Sequence, residues 1–555
     1  MMAELQNNKL TQRVARGSLN FDRRKFMRAR ITSFLLLVAV LFAGVTAAQP
    51  TEDAKPRRIA RGALEDKIRG GWAAQMIGVS FGAPTEFRSN GKIIEDNLNN
   101  FMTWGPERLE NAINQDDLYV DMTFAEVMDR VGLGATTEQY GEAFKNTKYE
   151  LWHANAAARR LLNSGVKAPM SGDPKYNIHA NDIDFQIEAD FIGLMTPGLP
   201  QESNKYCERV GRVMNYGDGL YGGMFVCGMY AAAFFENDVK RVVEQGLACI
   251  PAESGYAKIV RDVVDWSAKH PDDWRKCWQL VQDKWDKDDS CTGGAMQPFN
   301  IDARLNGAYI AIGMLYGRGD FAKTIEITAR CGQDSDCNPA SAAGVLGVMM
   351  GYARIPDEWK AGIPRLADKK FRYTNYSLNE IAQSTMTRAL KVIAMAGGAV
   401  AGDEITIPYQ APKPPALEQW TMGVADKMIA ASDPAWRWKG EWAGKGGEVE
   451  YRTPLKGVMA TAAGAEGTLT FTGTAVVLLG PHSQSGGRAD VYLDGKKAGE
   501  IDFYIPDDTN DDSLWHAYDL KPGTHTVRIV TRDDASARSK GKEAHVLGAI
   551  VYRAQ

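Results

Sequence analysis

Neither sign of charge dominates this chain: 65 Lys and Arg stand against 69 Asp and Glu in 555 residues, a formal net charge of −4. A generally basic nucleic-acid binder is thereby excluded. Long hydrophobic runs are missing after residue 48, which excludes a polytopic membrane protein. Cysteine is scarce, seven residues in all, and no CxxC pair occurs, so a zinc ribbon has no support. The odd count leaves at least one thiol free in a monomer, with one or two disulfides expected among mostly buried cysteines. The 55 glycines follow no triplet period, which excludes a collagen-like chain. What is present is ordinary for a globular protein, with 44% hydrophobic and 24% charged residues, and the length allows two to four domains.

Residues 1–48 hold eight Lys or Arg, two acids and the 15-residue apolar run Ile31–Val45. That run is short for a bilayer crossing but suits a signal peptide, and small residues follow it at Ala43–Gln49. The preceding Asp22-Arg23-Arg24-Lys25-Phe26-Met27-Arg28 resembles a twin-arginine export motif. The expectation is a signal peptide over 1–48 and a periplasmic or secreted protein with no membrane segment after its removal.

Residues 56–400 read as one all-α domain. Val120, Phe124, Val127 and Val131 form a helical stripe, Met224–Glu236 is apolar all round, and Ala252–His270, Asp272–Trp285, Asn306–Tyr316, Phe321–Arg330 and Ala340–Tyr352 continue the pattern. Residues 401–440, containing Ile407–Pro415, read as a Pro-rich linker. Residues 441–555 alternate with period two, and Asp494-Gly495 marks a tight hairpin, so a small antiparallel β-sandwich is expected, possessing the look of jelly-roll modules on secreted glycosidases.

Two acidic clusters open helices. One is Gln115-Asp116-Asp117-Leu118; the other is Gly332-Gln333-Asp334-Ser335-Asp336-Cys337-Asn338-Pro339. Capping and the helix dipole favour Asp at such places for structural reasons. Two such pairs together also offer the oxygen ligands that hard divalent cations require. A third element, Gly78-Val79-Ser80-Phe81-Gly82-Ala83-Pro84-Thr85-Glu86, reads as a Gly-rich turn that sets Glu86 on a loop.

In chain order these three elements resemble the ADP-ribosylglycohydrolase family, with its Gly-Asp-Ala-x-Gly-x-Pro-x-Glu, Thr-Asp-Asp-Thr and Gly-x-Asp-Thr-Asp-Thr motifs. Ala340, Ala342, Ala343, Gly344 and Gly347, then Ile355-Pro356 and Trp359, extend the likeness over roughly residues 62–400. The resemblance implies an all-α catalytic domain with a Mg²⁺ centre of one or two ions, Mn²⁺ or Ca²⁺ being alternatives. It implies Asp116, Asp117, Asp334 and Asp336 as metal ligands, and Glu86 with Asp117 as catalytic residues. The implied reaction is hydrolysis of a ribosyl C1″ N- or O-glycosidic bond of a small-molecule or glycan substrate. The sequence departs from the family pattern at Val79, Gln115, Leu118 and Cys337, and a thiol suits Mg²⁺ poorly.

Substrate contacts are expected from Asp184 and Glu188 in the acidic stretch Asp182–Asp190, the alternative being a solvated helix face, and from Asn215 and Tyr216 in a Gly-rich loop. The acidic stretch disfavours a diphosphate unless metal compensates, and suits a neutral sugar. Two further readings stay open: an exported glycoside hydrolase acting on a furanosyl or other glycan, and a catalytically inactive sugar-binding protein. His153 and His179 read as isolated residues, and the loop Asp507–Asp512 as a solvated turn, with Ca²⁺ binding as the alternative.

Overall fold

The computed structural model describes residues 55–96, 103–287, 291–447, 454–506, 508–510 and 512–554. The expected signal peptide over 1–48 lies outside the described residues, as do Asp507 and Asp511 of the acidic loop.

A strand at Arg57–Ala60 opens the described chain and pairs antiparallel with Glu404–Ile407, which also pairs Ala399–Ala401. This small sheet ties the two ends of the helical domain together. Between them the helices fall where the apolar periodicity predicts. Gly255–Lys269, Trp274–Trp285 and Phe321–Arg330 each bury one face. Asp218–Ala233, Ala303–Gly317 and Cys337–Met350 are buried nearly all round, which is why their sequences show apolar and small residues on every face.

The stretch Gly78–Gly82 is helical rather than a turn, because it ends a 22-residue helix, Arg61–Gly82. Only Ala83–Thr85 turns, as a single 3₁₀ turn. Gly70, Ala74, Gly78 and Gly82 recur every fourth residue and so lie on one helical stripe. That stripe meets the Cys337–Met350 helix and the loop before it. A methyl group on Gly70 would lie 2.4 Å from the Gly347 carbonyl oxygen, and one on Gly78 would lie 2.3 Å from that of Pro339. On Gly82 it would lie 1.9 Å from the Ser335 carbonyl oxygen and 2.5 Å from the Asp336 Cα. The glycines are thus required for backbone-to-backbone approach beside the second acidic cluster.

The expected linker over 401–440 is shorter in the structure. Residues 399–407 belong to the small sheet and 408–423 run without helix or strand. Val424–Ala430 and Trp436–Lys439 already pair into the sandwich, which therefore starts well before 441. Ser432, Asp433 and Pro434 break these short strands apart, which hid their alternation.

The sandwich has a five-stranded sheet and a four-stranded sheet. Leu469, Phe471, Val491, Val527 and Ile529 of the first pack on Val476, Leu478, Ala549 and Val551 of the second. Asp494 and Gly495 both take positive φ, 49° and 79°, in the hairpin joining Gly487–Leu493 to Lys496–Asp502. The strand Ala475–Gly480 is buried on both faces, in keeping with its unbroken apolar sequence. Its second face carries Val477 and Leu479, which cluster with Ile550 and Tyr552 against Ile178 and Ala295 of the helical domain.

All seven cysteines are buried free thiols, so the expected disulfides do not form. Gly82→Ala should lower stability by roughly 1–3 kcal/mol, the usual cost of overpacking, because only backbone can give way. Thermal melting checks this, with Gly62→Ala as the control, since a methyl there meets nothing within 4 Å.

Candidate functional site

The helix Asp116–Val131 begins abruptly, with Gln115 extended at φ −95° and ψ 140°. Asp116 and Asp117 therefore sit in its first turn. Facing them, Gly332 and Gln333 take φ of +83° and +55°, turning the chain before Asp334–Asp336. The Gln333 amide locks that turn: it accepts from the Asn300 N–H at 2.9 Å and donates to the Pro298 carbonyl at 2.7 Å. The Cys337 N–H donates to Asp334 Oδ1 at 3.3 Å.

The ligand atoms of Asp116, Asp117 and Cys337 lie within 4.8 Å of one another, and so do those of Asp334, Asp336 and Cys337. Two carboxylate pairs from distant segments thus converge on a shared thiol. Glu86 reaches them from a third segment. The Phe87 N–H donates to the Gln333 carbonyl at 3.0 Å, and the hydroxyls of Thr85 and Ser335 lie 2.8 Å apart. These contacts hold the exposed Glu86 beside Asp336 at the mouth of the cluster.

The electrostatics follow from crowding negative charge into a dry place. Glu86 is pushed up to about 9, first by the charge of Asp336, then by desolvation and by Asp116. Desolvation raises Asp116, Asp117, Asp334 and Asp336, and the neighbouring carboxylates raise the last three further. Burial raises Cys337 as well, followed by the charges of Asp117, Asp334 and Asp336, so the thiol stays neutral.

Both side-chain oxygens of Asp117 and Oδ2 of Asp336 are buried without a hydrogen-bond partner. Buried carboxylate oxygens in that condition call for a proton or a cation. An all-carboxylate first set of donors, with the Asn338 Oδ1 also unpartnered nearby in sequence, fits a hard divalent cation. The neutral Cys337 thiol adds little to such a cation. Of the departures from the family pattern, Val79 and Leu118 are fully buried and pack in the core.

Asp184 and Glu188 are buried, so the solvated-face alternative fails; the helix there is only Asp184–Ile187. Asp184 accepts the Asn155 N–H at 2.9 Å and the Ala154 N–H at 3.2 Å, capping the helix His153–Asn163 from outside. Burial pushes Asp184 up to about 7 against the pull of those N–H groups, and the charge of Asp116 adds to the rise. Glu188 accepts from the Asn155 amide, while its Oε2 has no partner; burial, then Asp184, raises it. Both acids therefore border the Asp116 side of the cluster.

Asn215 and Tyr216 are placed elsewhere. The Asn215 amide donates to the carbonyls of Ala180 and Asp182 at 3.0 and 2.8 Å and accepts from the Phe185 N–H at 2.9 Å. Its polar capacity is spent on backbone. The Arg212 guanidinium lies over the Tyr216 ring, 5.4 Å from its centroid. The Gly-rich loop organises its own neighbourhood, and neither side chain is tied to the carboxylates.

Three features escaped the motif reading. Asp121 and Asp190 form a second row of buried acids beneath Asp117, with Asp190 accepting from the Tyr230 hydroxyl at 2.5 Å. Tyr119, Tyr149 and Tyr373 pack mutually, with ring centroids 4.7–5.6 Å apart, and Tyr119 feels the charge of Asp116. His153 and His179 are not isolated: they gather with Asp182 and Cys291. Burial lowers both imidazoles, to about 4 and about 3, so they are neutral. Of the acidic 507–512 loop, Asp512 pairs with Arg160 at 2.8 Å and His482 at 2.8 Å, so that end of the loop is tied down rather than a solvated turn.

The family model described as ADP-ribosylglycohydrolase, a hydrolytic family, matches residues 60–394. The chain belongs to the ADP-ribosylglycohydrolase family. It is also 31% identical over 141 residues, 25% of its length, to an A type blood N-acetyl-alpha-D-galactosamine deacetylase of Flavonifractor plautii, of which it covers 17%. The chain thus spans about a sixth of that relative's length. Among solved structures it is similar to an ADP-ribosylglycohydrolase-related protein complex, with a TM-score of 0.39 and 15% identity, over 59% of this chain and 99% of that one. It is similar also to a carbohydrate-binding module, CBM36, in complex with calcium and xylotriose, with a TM-score of 0.16 and 13% identity, over 22% and 98%.

Because Asp184 and Glu86 hold their protons up to about 7 and about 9, the folded, cation-free protein binds protons that the unfolded chain releases near 3.8 and 4.5. Its stability therefore falls as pH rises from about 4 toward 7 and on toward 9. Melting of chelator-treated protein should show this fall, and saturating Mg²⁺ should raise the melting temperature more at the alkaline end. A pH-independent Mg²⁺ effect would contradict the reading.

Proposed function

We propose that the protein is a metal-dependent glycohydrolase of the ADP-ribosylglycohydrolase type, cleaving a ribosyl C1″ N- or O-glycosidic bond. The observation that carries this is the convergence of Asp116, Asp117, Asp334 and Asp336 on one thiol, with buried, unpartnered oxygens among them. Those four aspartates would hold Mg²⁺, or Mn²⁺ or Ca²⁺ in its place. When bound, such an ion supplies Lewis acidity and a more acidic water.

The chain's own residues account for the rest. Glu86 stands at the mouth, where a carboxyl oxygen can hold a proton for a departing group or take one from water. Asp117, fully buried beneath, would carry its negative charge only with a cation bound, and that charge would favour the oxocarbenium-like state that cleavage develops. Asp184 fixes the helix that carries Asn155, which in turn orients Glu188 toward the same side. We also propose export through the N-terminal segment and action in the periplasm or outside the cell.

A second reading keeps the reaction and changes the substrate to a furanosyl or other glycan. Its support is that, among the described residues, no Lys or Arg is a chief cause of the shifts of Glu86, Asp116, Asp117, Asp334, Asp336, Asp184 or Glu188. A diphosphate would rely on bound cations alone there, whereas a neutral sugar fits carboxylates and the tyrosine wall.

Calorimetric titration with ADP-ribose, with and without Mg²⁺, separates the two. Mg²⁺-dependent micromolar binding supports the ribosyl substrate. Absence of binding in metal-loaded protein moves the assignment to glycans, with a furanoside panel next. Asp334→Ala should cost at least about 100-fold in divalent affinity and hydrolysis while the protein stays folded. Full activity in that variant would refute the metal assignment.

A further inference from the structure

We propose that His153, His179, Asp182 and Cys291 form a second metal site, specific for zinc and separate in chemistry from the carboxylate cluster. Their donor atoms all lie within 4.8 Å of one another. Three separate segments supply them: the first residue of the helix His153–Asn163, the 179–182 turn and the segment after residue 290.

The pairing of atoms favours a common centre over a proton relay. In a Cys–His–Asp relay the thiol and the carboxylate engage opposite ring nitrogens, because one nitrogen gives a proton as the other takes one. Here the same nitrogen, His153 Nδ1, faces Cys291 Sγ at 3.6 Å and Asp182 Oδ2 at 3.9 Å. The second imidazole also turns its Nδ1 to that oxygen, at 2.7 Å. Four donors aimed inward at one point are what a tetrahedral cation needs. With bonds of ~2.0–2.1 Å to nitrogen and ~2.3 Å to sulfur, donor atoms around zinc lie roughly 3.3–3.6 Å apart. The Cys291–His153 separation already has that value, and the His179–Asp182 contact need open by less than about 1 Å.

The surroundings hold these donors in place. His153 has φ +44°, a conformation non-glycine residues rarely adopt, and it aims the ring at Asp182. Phe299 stacks on that ring at 5.7 Å. The Asp182 backbone is pinned by the Asn215 amide and by a bridge to Asp302. His179, Asp182 and Cys291 are all at most 7% exposed.

The donor set decides the metal. One sulfur, two imidazoles and one carboxylate suit zinc, whereas the aspartate cluster suits Mg²⁺. Four protein ligands leave no open position, so the site is structural. Its place gives it a task. His153 begins the helix capped by Asp184, and Ile178 and Ala295, flanking His179 and Cys291, pack on the sandwich. Zinc there would staple together three segments of the helical domain, between the border of the carboxylate cluster and the face on which the sandwich packs.

The test uses the full chain and Co²⁺ as a spectroscopic substitute. Wild-type protein should bind one zinc tightly, and the Co²⁺ form should show thiolate-to-cobalt charge-transfer absorption. Cys291→Ser should abolish that absorption, and Cys337→Ser and Asp334→Ala should retain it. His153→Asn should weaken zinc binding at least tenfold, which serves if Cys291→Ser fails to fold. No tight zinc in the wild type offered the metal, or a charge-transfer band that survives Cys291→Ser or is lost in Cys337→Ser, would overturn the proposal. None of these outcomes depends on whether the protein hydrolyses a glycosidic bond.

Discussion

Concentrated negative charge is the constraint around which the helical domain is built. Asp117, Asp334, Asp336, Asp184, Glu188, Asp121 and Asp190 are all buried or nearly so, and their carboxyl groups repel one another. A folded chain tolerates such a group only by binding protons or cations. The fold holds the acids together by making everything else rigid. A stripe of Gly70, Ala74, Gly78 and Gly82 brings one helix onto the backbone of the next, and Gln333, Thr85 and Ser335 lock the loops that carry Asp334, Asp336 and Glu86.

Much of this was legible in the sequence, and the reasons differ by element. Helices such as Phe321–Arg330 declare themselves by period, and the Asp494-Gly495 hairpin by the positive φ it requires. The aspartate pairs stood out because each opens a helix. The role of Gly78 and Gly82 was hidden because close helix approach and a flexible turn ask for the same residue. Asp184 and Glu188 read as substrate contacts or as a solvated helix face, and their burial and the capping of another helix depend on tertiary contacts. Asn215 looked like a ligand in a Gly-rich loop and is consumed by backbone. The histidine cluster had no local spacing to reveal it, since its members meet only in the folded chain.

The sandwich is more than an appended module. One face of its four-stranded sheet is covered by the helical domain, and Asp512 binds Arg160 across the junction. The same half-buried ion pair absorbs the end of the acidic loop, and His516 reaches the Pro174 carbonyl at 2.6 Å. The sheet domain therefore braces the segment that carries His179 and Asp182, one layer away from Asp184.

The most direct test of the account is anomalous diffraction from crystals of the full chain grown in Mn²⁺. The account requires an anomalous peak among Asp116, Asp117, Asp334 and Asp336, within bonding distance of oxygens of both pairs. Manganese held elsewhere, with these carboxylates left hydrogen-bonded to one another, would contradict it.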